Sequence, residues 1–269
     1  MRDEGVPRGP GGPPYNTAGE RRSRRTAALC VTLVLFLSAC SSAPAPQKLK
    51  IAAAADLNFA LREIAPKFPA AQLEIAYGSS GNFYTQITNG APFDLFLSAD
   101  LDYPRKLAAA HIGLADSLFT YGAGRIVVWV PPYSALDPAT ALLSSDVKHL
   151  AIANPQHAPY GRAAEAALRR LGLYDALKPK LVLGENISQT LQFVESGAAD
   201  AGIVALSLAL APAAGKGRYW EIPLDAYPRL EQGGIILKDS AAAREFRVFL
   251  TTGPGRQALK QFGFFITGE

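Results

Sequence analysis

The chain has 269 residues, 49% hydrophobic and 19% charged, with a formal net charge of +4. This composition excludes a disordered or low-complexity protein and leaves room for one or two folded domains. The basic excess sits at the N-terminus: residues 1–39 carry six Lys and Arg against three Asp and Glu, and of the totals of 27 and 23 the rest keeps 21 basic and 20 acidic side chains, with no basic stripe for nucleic acid.

The first 20 residues are rich in Pro and Gly and cannot build a core. "RRSRR" at Arg21–Arg25 is a basic n-region, and "TAALCVTLVLFLSA" is an apolar h-region too short to span a bilayer comfortably. It ends in "LSAC", which resembles the lipobox of bacterial lipoproteins, so residues 1–39 are expected to be a lipoprotein signal and Cys40 the lipidated residue. Residues 40–47, "CSSAPAPQ", read as a tether. Cys30 leaves with the signal and Cys40 is acylated, so no disulfide is expected in the exported domain.

Beyond the tether, strand and helix patterns alternate. "KLKIAAAA" reads as a strand, and Leu57, Leu61, Ile64 and Phe68 follow at helical spacing. "LEIAYG" is a strand; the helix after "GSSG" carries Phe83 and Ile87 and stops near Asn89-Gly90. "DLFLSAD", "GRIVVWVPP" and "VKHLAIANP" are strands, and "YGRAAEAALRRLGL" is a helix aligning Ala164, Ala167, Leu168 and Leu171. "KLVLGEN", the helix "ISQTLQFVESG", the strand "AGIVAL", "GGIILKDS" and a last helical pair complete the pattern. The alternation predicts an α/β fold with parallel-rich sheets flanked by helices, and the length suits two lobes. The expected division gives 48–121 and 228–269 to lobe I and 122–227 to lobe II, with the ligand in the cleft between them.

Four strand-to-helix turns place small or polar residues before a helix. They hold Asp56; Ser79 and Ser80; Tyr160 and Gly161; and Asn186 and Ile187. A helix start offers unpaired N–H groups and the positive end of its dipole, and serine hydroxyls add donors. An uncharged donor cage suits an oxyanion held away from water. Each turn read alone is equally an ordinary helix cap. A hydrolase reading takes Ser80 as nucleophile, His157 as base and Asp56 or Asp94 as orienter, but "GSSG" is not the Gly-x-Ser-x-Gly elbow. His111 and His149 stand alone, and Asp94, Asp100 and Asp102 read as caps and lobe contacts, so neither a catalytic residue nor a metal-ligating cluster is assigned. A sensor or scaffold tethered at the membrane is a third class.

The segments "AAAADLNFAL", "YGSSGNFYTQITNGAPFDLFLSAD", "NPQHAPYGRAAEAAL", "LGENISQTLQFVESGAADAGIV" and the closing "FGF" resemble the periplasmic molybdate-binding proteins of ABC importers, from about Lys48 to Phe265. The resemblance implies a two-lobed, type II binding-protein fold that holds molybdate or tungstate by hydroxyls and backbone amides, an ABC permease as partner, no cofactor and a monomer facing the periplasm or cell exterior. By position Ser80 matches a serine donor, and Tyr160 and Ile187 match backbone-amide donors, so the molybdenum oxyanion is expected on Ser80 and Ile187, with Ser79, Asp56 and Tyr160 beside it. Two positions depart: Asp56 stands where many members have serine, and Ala205 where many have a tyrosine. The Tyr160 phenol is the expected replacement for the missing tyrosine. Asp56 either caps its own helix, the favoured arrangement because Asp is a preferred cap, or takes a proton from the ligand. The second arrangement would select a protonated anion such as phosphate or a phosphonate.

Overall fold

A computed structural model describes residues 47–266. The expected signal at residues 1–39, Cys40 and the expected tether up to Pro46 lie outside the described residues. The strands are β1 (Lys48–Ala54), β2 (Gln72–Gly78), β3 (Leu95–Ser98), β4 (Phe119–Gly124), β5 (Ile126–Val130), β6 (Leu150–Ala153), β7 (Leu181–Gly184), β8 (Ala201–Ala205), β9 (Arg218–Glu221) and β10 (Leu230–Ile236). The α-helices are α1 (Asn58–Ile64), α2 (Ser80–Thr88), α3 (Asp102–Ala109), α4 (Pro159–Arg170), α5 (Tyr174–Leu177), α6 (Ile187–Glu195), α7 (Leu206–Ala209), α8 (Ala241–Thr251) and α9 (Gly253–Gln261).

The strands form two five-stranded sheets, ordered β2-β1-β3-β10-β4 and β7-β6-β8-β5-β9. Each has a parallel half, β2-β1-β3 in one and β7-β6-β8 in the other. In each, the strand that carries the chain across or back, β10 or β5, pairs antiparallel with both neighbours. The sheets are therefore mixed rather than parallel throughout. Such a strand arrives without a crossover helix, and the antiparallel direction suits that entry.

β4 pairs with β10 as far as Gly124, so the first sheet keeps the chain past the Tyr121 boundary read from the sequence. Arg125 alone separates β4 from β5, and the return runs between Glu221 and Leu230. β4 alternates Phe119, Tyr121 and Ala123 with Thr120 and two glycines, a weak strand signal; the short edge strand β9 is largely exposed.

Burial explains the helices. Leu57, Leu61 and Ile64 are completely buried, and Phe68 stacks edge-on against Phe246 of α8, with ring centroids 5.1 Å apart. In α4, Ala164, Ala167 and Leu168 face the core. Leu171, aligned with them in the sequence, is 39% exposed, because α4 ends at Arg170 and Gly172, at φ +71°, turns the chain away. A Trp129-centred cluster fills the second lobe, and one around Leu61, Phe246 and Leu259 fills the first.

Candidate functional site

β1 and β2 are parallel neighbours, as are β6 and β7. Their carboxyl ends therefore deliver four helix starts in two adjacent pairs, one pair from each sheet. Asp56, Ser79, Ser80, Tyr160, Asn186 and Ile187 all wall one cavity of about 10 Å³. A wider surface hollow of about 260 Å³ beside Arg125 and Phe264 shares none of these residues.

Ser80 is the first residue of α2 and is almost fully buried. Its Oγ accepts a hydrogen bond from the Ala99 N–H at 2.9 Å, which leaves the hydroxyl hydrogen free to be donated. Ser79 is different: its Oγ donates to the His157 carbonyl at 2.7 Å, so its hydrogen is used in joining the lobes. Asn186 caps α6, its side-chain oxygen accepting from the N–H groups of Ser188 and Gln189. The Thr190 N–H bonds the Asn186 carbonyl. The N–H of Ile187, the first helical residue, has no carbonyl to meet within its own helix. Tyr160 is the second residue of α4, after Pro159, so its N–H is the first that this helix can offer.

Asp56 does not cap. The short helical turn it occupies has no side-chain cap bond. Its Oδ2 instead accepts from the Tyr160 hydroxyl at 3.0 Å and from Gln232 Nε2 at 2.7 Å, while Oδ1 is buried without a partner. A desolvated carboxylate with no cation nearby takes the donors within reach, and these lie on α4 and β10. Burial pushes the Asp56 carboxyl up to about 6, against the bonds from Gln232 and Tyr160 that pull it down. The Tyr160 hydroxyl, expected to replace the tyrosine absent at Ala205, spends its hydrogen on Asp56. Its own ionisation is pushed well above the usual range, by burial first and then by that carboxylate. Gly124 makes room for this cluster: a Cβ there would stand 2.1 Å from Tyr160 Oη and 2.6 Å from Gln232 Nε2.

Hydrogen bonds join the two lobes around the cavity. The Gly81 N–H donates to the same His157 carbonyl at 2.9 Å. Ser188 Oγ donates to the Ala55 carbonyl at 3.0 Å, and Ser207 Oγ to the Asp56 carbonyl at 2.8 Å. Arg162 meets Asp100 at 2.5 Å, and Asn82 donates to Glu185. Burial raises the Asp100 carboxyl despite the Arg162 charge. His157 Nδ1 lies 2.9 Å from Ser79 Oγ, not beside Ser80, so the serine–histidine pair written for a hydrolase is not assembled. Asp94 is remote from the cavity and accepts from the Lys50 N–H. Among the described residues no cluster of three or more His, Cys, Asp or Glu is placed to hold a metal ion.

Sequence reasoning missed Gln232, Ser207 and Ser188. Gln232 carried a signal: it is a lone amide in the apolar strand "LEQGGII", in phase with buried Leu230, and it is completely buried. The two serines carried none, since hydroxyls at a helix start are also ordinary caps.

Two mixed sheets with a donor-lined cavity between their strand ends define a two-lobed binding protein. The chain belongs to the bacterial extracellular solute-binding protein family, whose pattern it matches over residues 49–265. It is 40% identical to the molybdate-binding protein ModA of Rhodobacter capsulatus over 192 residues, covering 70% of this chain and 75% of that protein. It is 30% identical over 249 residues to YvgL of Bacillus subtilis, named as an ABC transporter substrate-binding lipoprotein, covering 87% and 95% of the two chains. The structure is similar to that of the periplasmic molybdate-binding protein of Azotobacter vinelandii, with a TM-score of 0.77 and 33% identity over 82% of this chain and all of that one.

Proposed function

We propose that this chain is the substrate-binding component of an ABC importer that captures molybdate or tungstate and presents it to a membrane permease. The observation that carries the reading is the convergence of four helix starts, two from each lobe, on one cavity lined by no Lys or Arg, three of them with a free donor. Ser80 Oγ–H and the N–H groups of Tyr160 and Ile187 are the proposed donors to the anion's oxygens. The metal is touched only through those oxygens, and capture is lobe closure rather than covalent chemistry, with no cofactor. The names of the relatives from Rhodobacter and Azotobacter support the choice of anion.

A hydrolytic role has less support, because the one hydroxyl beside His157 gives its hydrogen to that residue's carbonyl rather than to the imidazole. For localisation we propose a monomer exported and anchored through lipidated Cys40, as the name of the Bacillus relative suggests. A thermal-shift panel of molybdate, tungstate, sulfate, chromate and phosphate tests the function. Molybdate and tungstate should give the largest shifts. A phosphate shift larger than both would replace the reading with a binder of protonated oxyanions, and a flat panel would reject it. Replacing Cys40 with serine should release the protein from the membrane fraction, and retention there would reject the anchor.

A further inference from the structure

The donor cage contains one group that does not belong in it. Ser80 Oγ–H and the first N–H groups of α4 and α6 are available to an anion there, but Asp56 presents a carboxyl group that is 1% exposed. One of its oxygens is satisfied twice, by Tyr160 and Gln232, and the other is buried with no partner. Gln232 Nε2 also donates to Tyr160 Oη at 3.0 Å, so the three side chains form a closed cluster with a fixed direction. Both donors point at Oδ2. Nothing in the cluster donates to Oδ1, and Gln232 Oε1 is likewise buried without a partner.

No Lys, Arg or His forms an ion pair with Asp56 among the described residues; around the cavity Arg162 pairs with Asp100 and His157, beside Ser79, with Glu185. The other titratable groups that feel its charge are Tyr160 of α4 and Tyr121 of β4, whose hydroxyl donates to the Ser98 carbonyl at 2.8 Å. Burial holds both phenols well above the usual range, so they stay neutral wherever a carboxyl titrates. From β8 and α7 the nearest groups are neutral: Ala205, and Ser207, which bonds the Asp56 backbone. A charged Asp56 and a dianion in one small cavity would repel each other with no cation to offset them. A protonated Asp56 would keep its two accepted bonds on Oδ2 and turn Oδ1 into a further donor, like the rest of the wall.

We infer that Asp56 is the proton-bearing donor of this site, so that capture of a tetraoxo dianion takes up one proton from solution at the Oδ1 atom of Asp56. No bond to the anion's central atom is made or broken; a proton leaves the solvent and an O–H forms on Asp56. The free carboxyl titrates at about 6, and a bound dianion raises that further. Binding therefore gains a proton above pH 6, and affinity falls as pH rises, about tenfold per pH unit while one proton is coupled. This rests on the oxyanion reading above and deepens it, because it separates anions by the proton count at which they bind.

The test is titration calorimetry of the full chain with sodium molybdate, in buffers of different ionisation enthalpy, between pH 6 and 8.5. The expected result is uptake of about one proton per anion at pH 7.5 and a dissociation constant that rises about tenfold from pH 7 to 8. Asp56→Asn keeps an acceptor for Tyr160 and Gln232 and supplies a permanent N–H donor in place of the proton. It should bring uptake close to zero and flatten the pH profile. Tyr160→Phe removes a bond that favours the charged carboxylate, so its affinity should begin to fall at higher pH than in the wild type. Tight binding with no proton uptake overturns the inference and leaves the oxyanion reading standing. Uptake that persists in Asp56→Asn places the proton elsewhere and overturns it too. If neither molybdate nor tungstate binds at any pH, both readings fall.

Discussion

The Ser80 turn and the Asp56 turn stand side by side, at the ends of neighbouring parallel strands, and treat buried oxygen in opposite ways. At Ser80 the fold satisfies the hydroxyl oxygen from behind, through the Ala99 N–H, so the hydrogen can only point forward. At Asp56 it satisfies one oxygen twice, from Tyr160 across the cleft and from Gln232 in its own sheet, and leaves the other bare. The first turn is a donor by construction, and the second becomes one only when protonated. A donor cage can thus be built from an acid, provided burial makes the neutral form the stable one.

The largest way to break the contrast is to hold the two lobes apart. A Cβ at Gly81 would lie 2.5 Å from the His157 carbonyl oxygen and 2.6 Å from Tyr103 Oη. Tyr103 belongs to the same lobe and can swing aside, but the His157 backbone cannot. Gly81→Val should therefore lower molybdate affinity by roughly a hundredfold or more, as overpacking against backbone costs about 3 kcal/mol. Calorimetry decides it, and affinity within threefold of wild type would show that the lobes need not meet there.

The next effect belongs to Asp56 in the ligand-free protein. Its carboxyl is raised from 3.8 to about 6, so the stability present below pH 3.8 is lost as pH rises through 6. Asp56→Asn escapes that loss and should be more stable than wild type at pH 8 by on the order of 3 kcal/mol, an advantage that vanishes near pH 3.5. Thermal unfolding at both pH values measures it; an equal difference at both would mean that Asp56 does not titrate in the folded chain. At the Ser80 turn, Ser80→Ala removes a donor and strands the Ala99 N–H, which should weaken binding by about 1–3 kcal/mol at every pH. A pH-dependent loss would erase the distinction between the turns. The smallest effect is expected at Asn186→Ala, about 1 kcal/mol of stability through the lost cap. Denaturant unfolding would show it, and an unchanged midpoint would remove Asn186 from the account.

Most of the scaffold was legible because its signals are local. Leu57, Leu61 and Ile64 recur at helical spacing, and Gly90 and Gly197, at φ +87° and +78°, stop α2 and α6 where a left-handed residue is required. The four turns could be seen because polar residues before a helix stand out against apolar strands. What could not be seen depends on pairing between distant segments. The pairing of the glycine-rich β4 is fixed only beside β10, and the direction of β5 only beside β8. The fate of the Asp56 side chain is a contest between its own helix start and donors 104 and 176 residues away in sequence, Tyr160 and Gln232. Local propensity favours the cap; the packed cluster wins because leaving both donors and the acid unpaired in a dry interior costs more.

The bonds that tie Ser79 and Gly81 to His157, and Ser188 to Ala55, ask nothing of the solute. Each lowers the free energy of the shut conformer before any cargo arrives, so the apparent dissociation constant falls in inverse proportion to the fraction of molecules already shut. A large fraction tightens capture without any added contact to the solute. The same contacts must then be prised apart on delivery, which puts the work of unloading on the membrane machinery rather than on thermal escape.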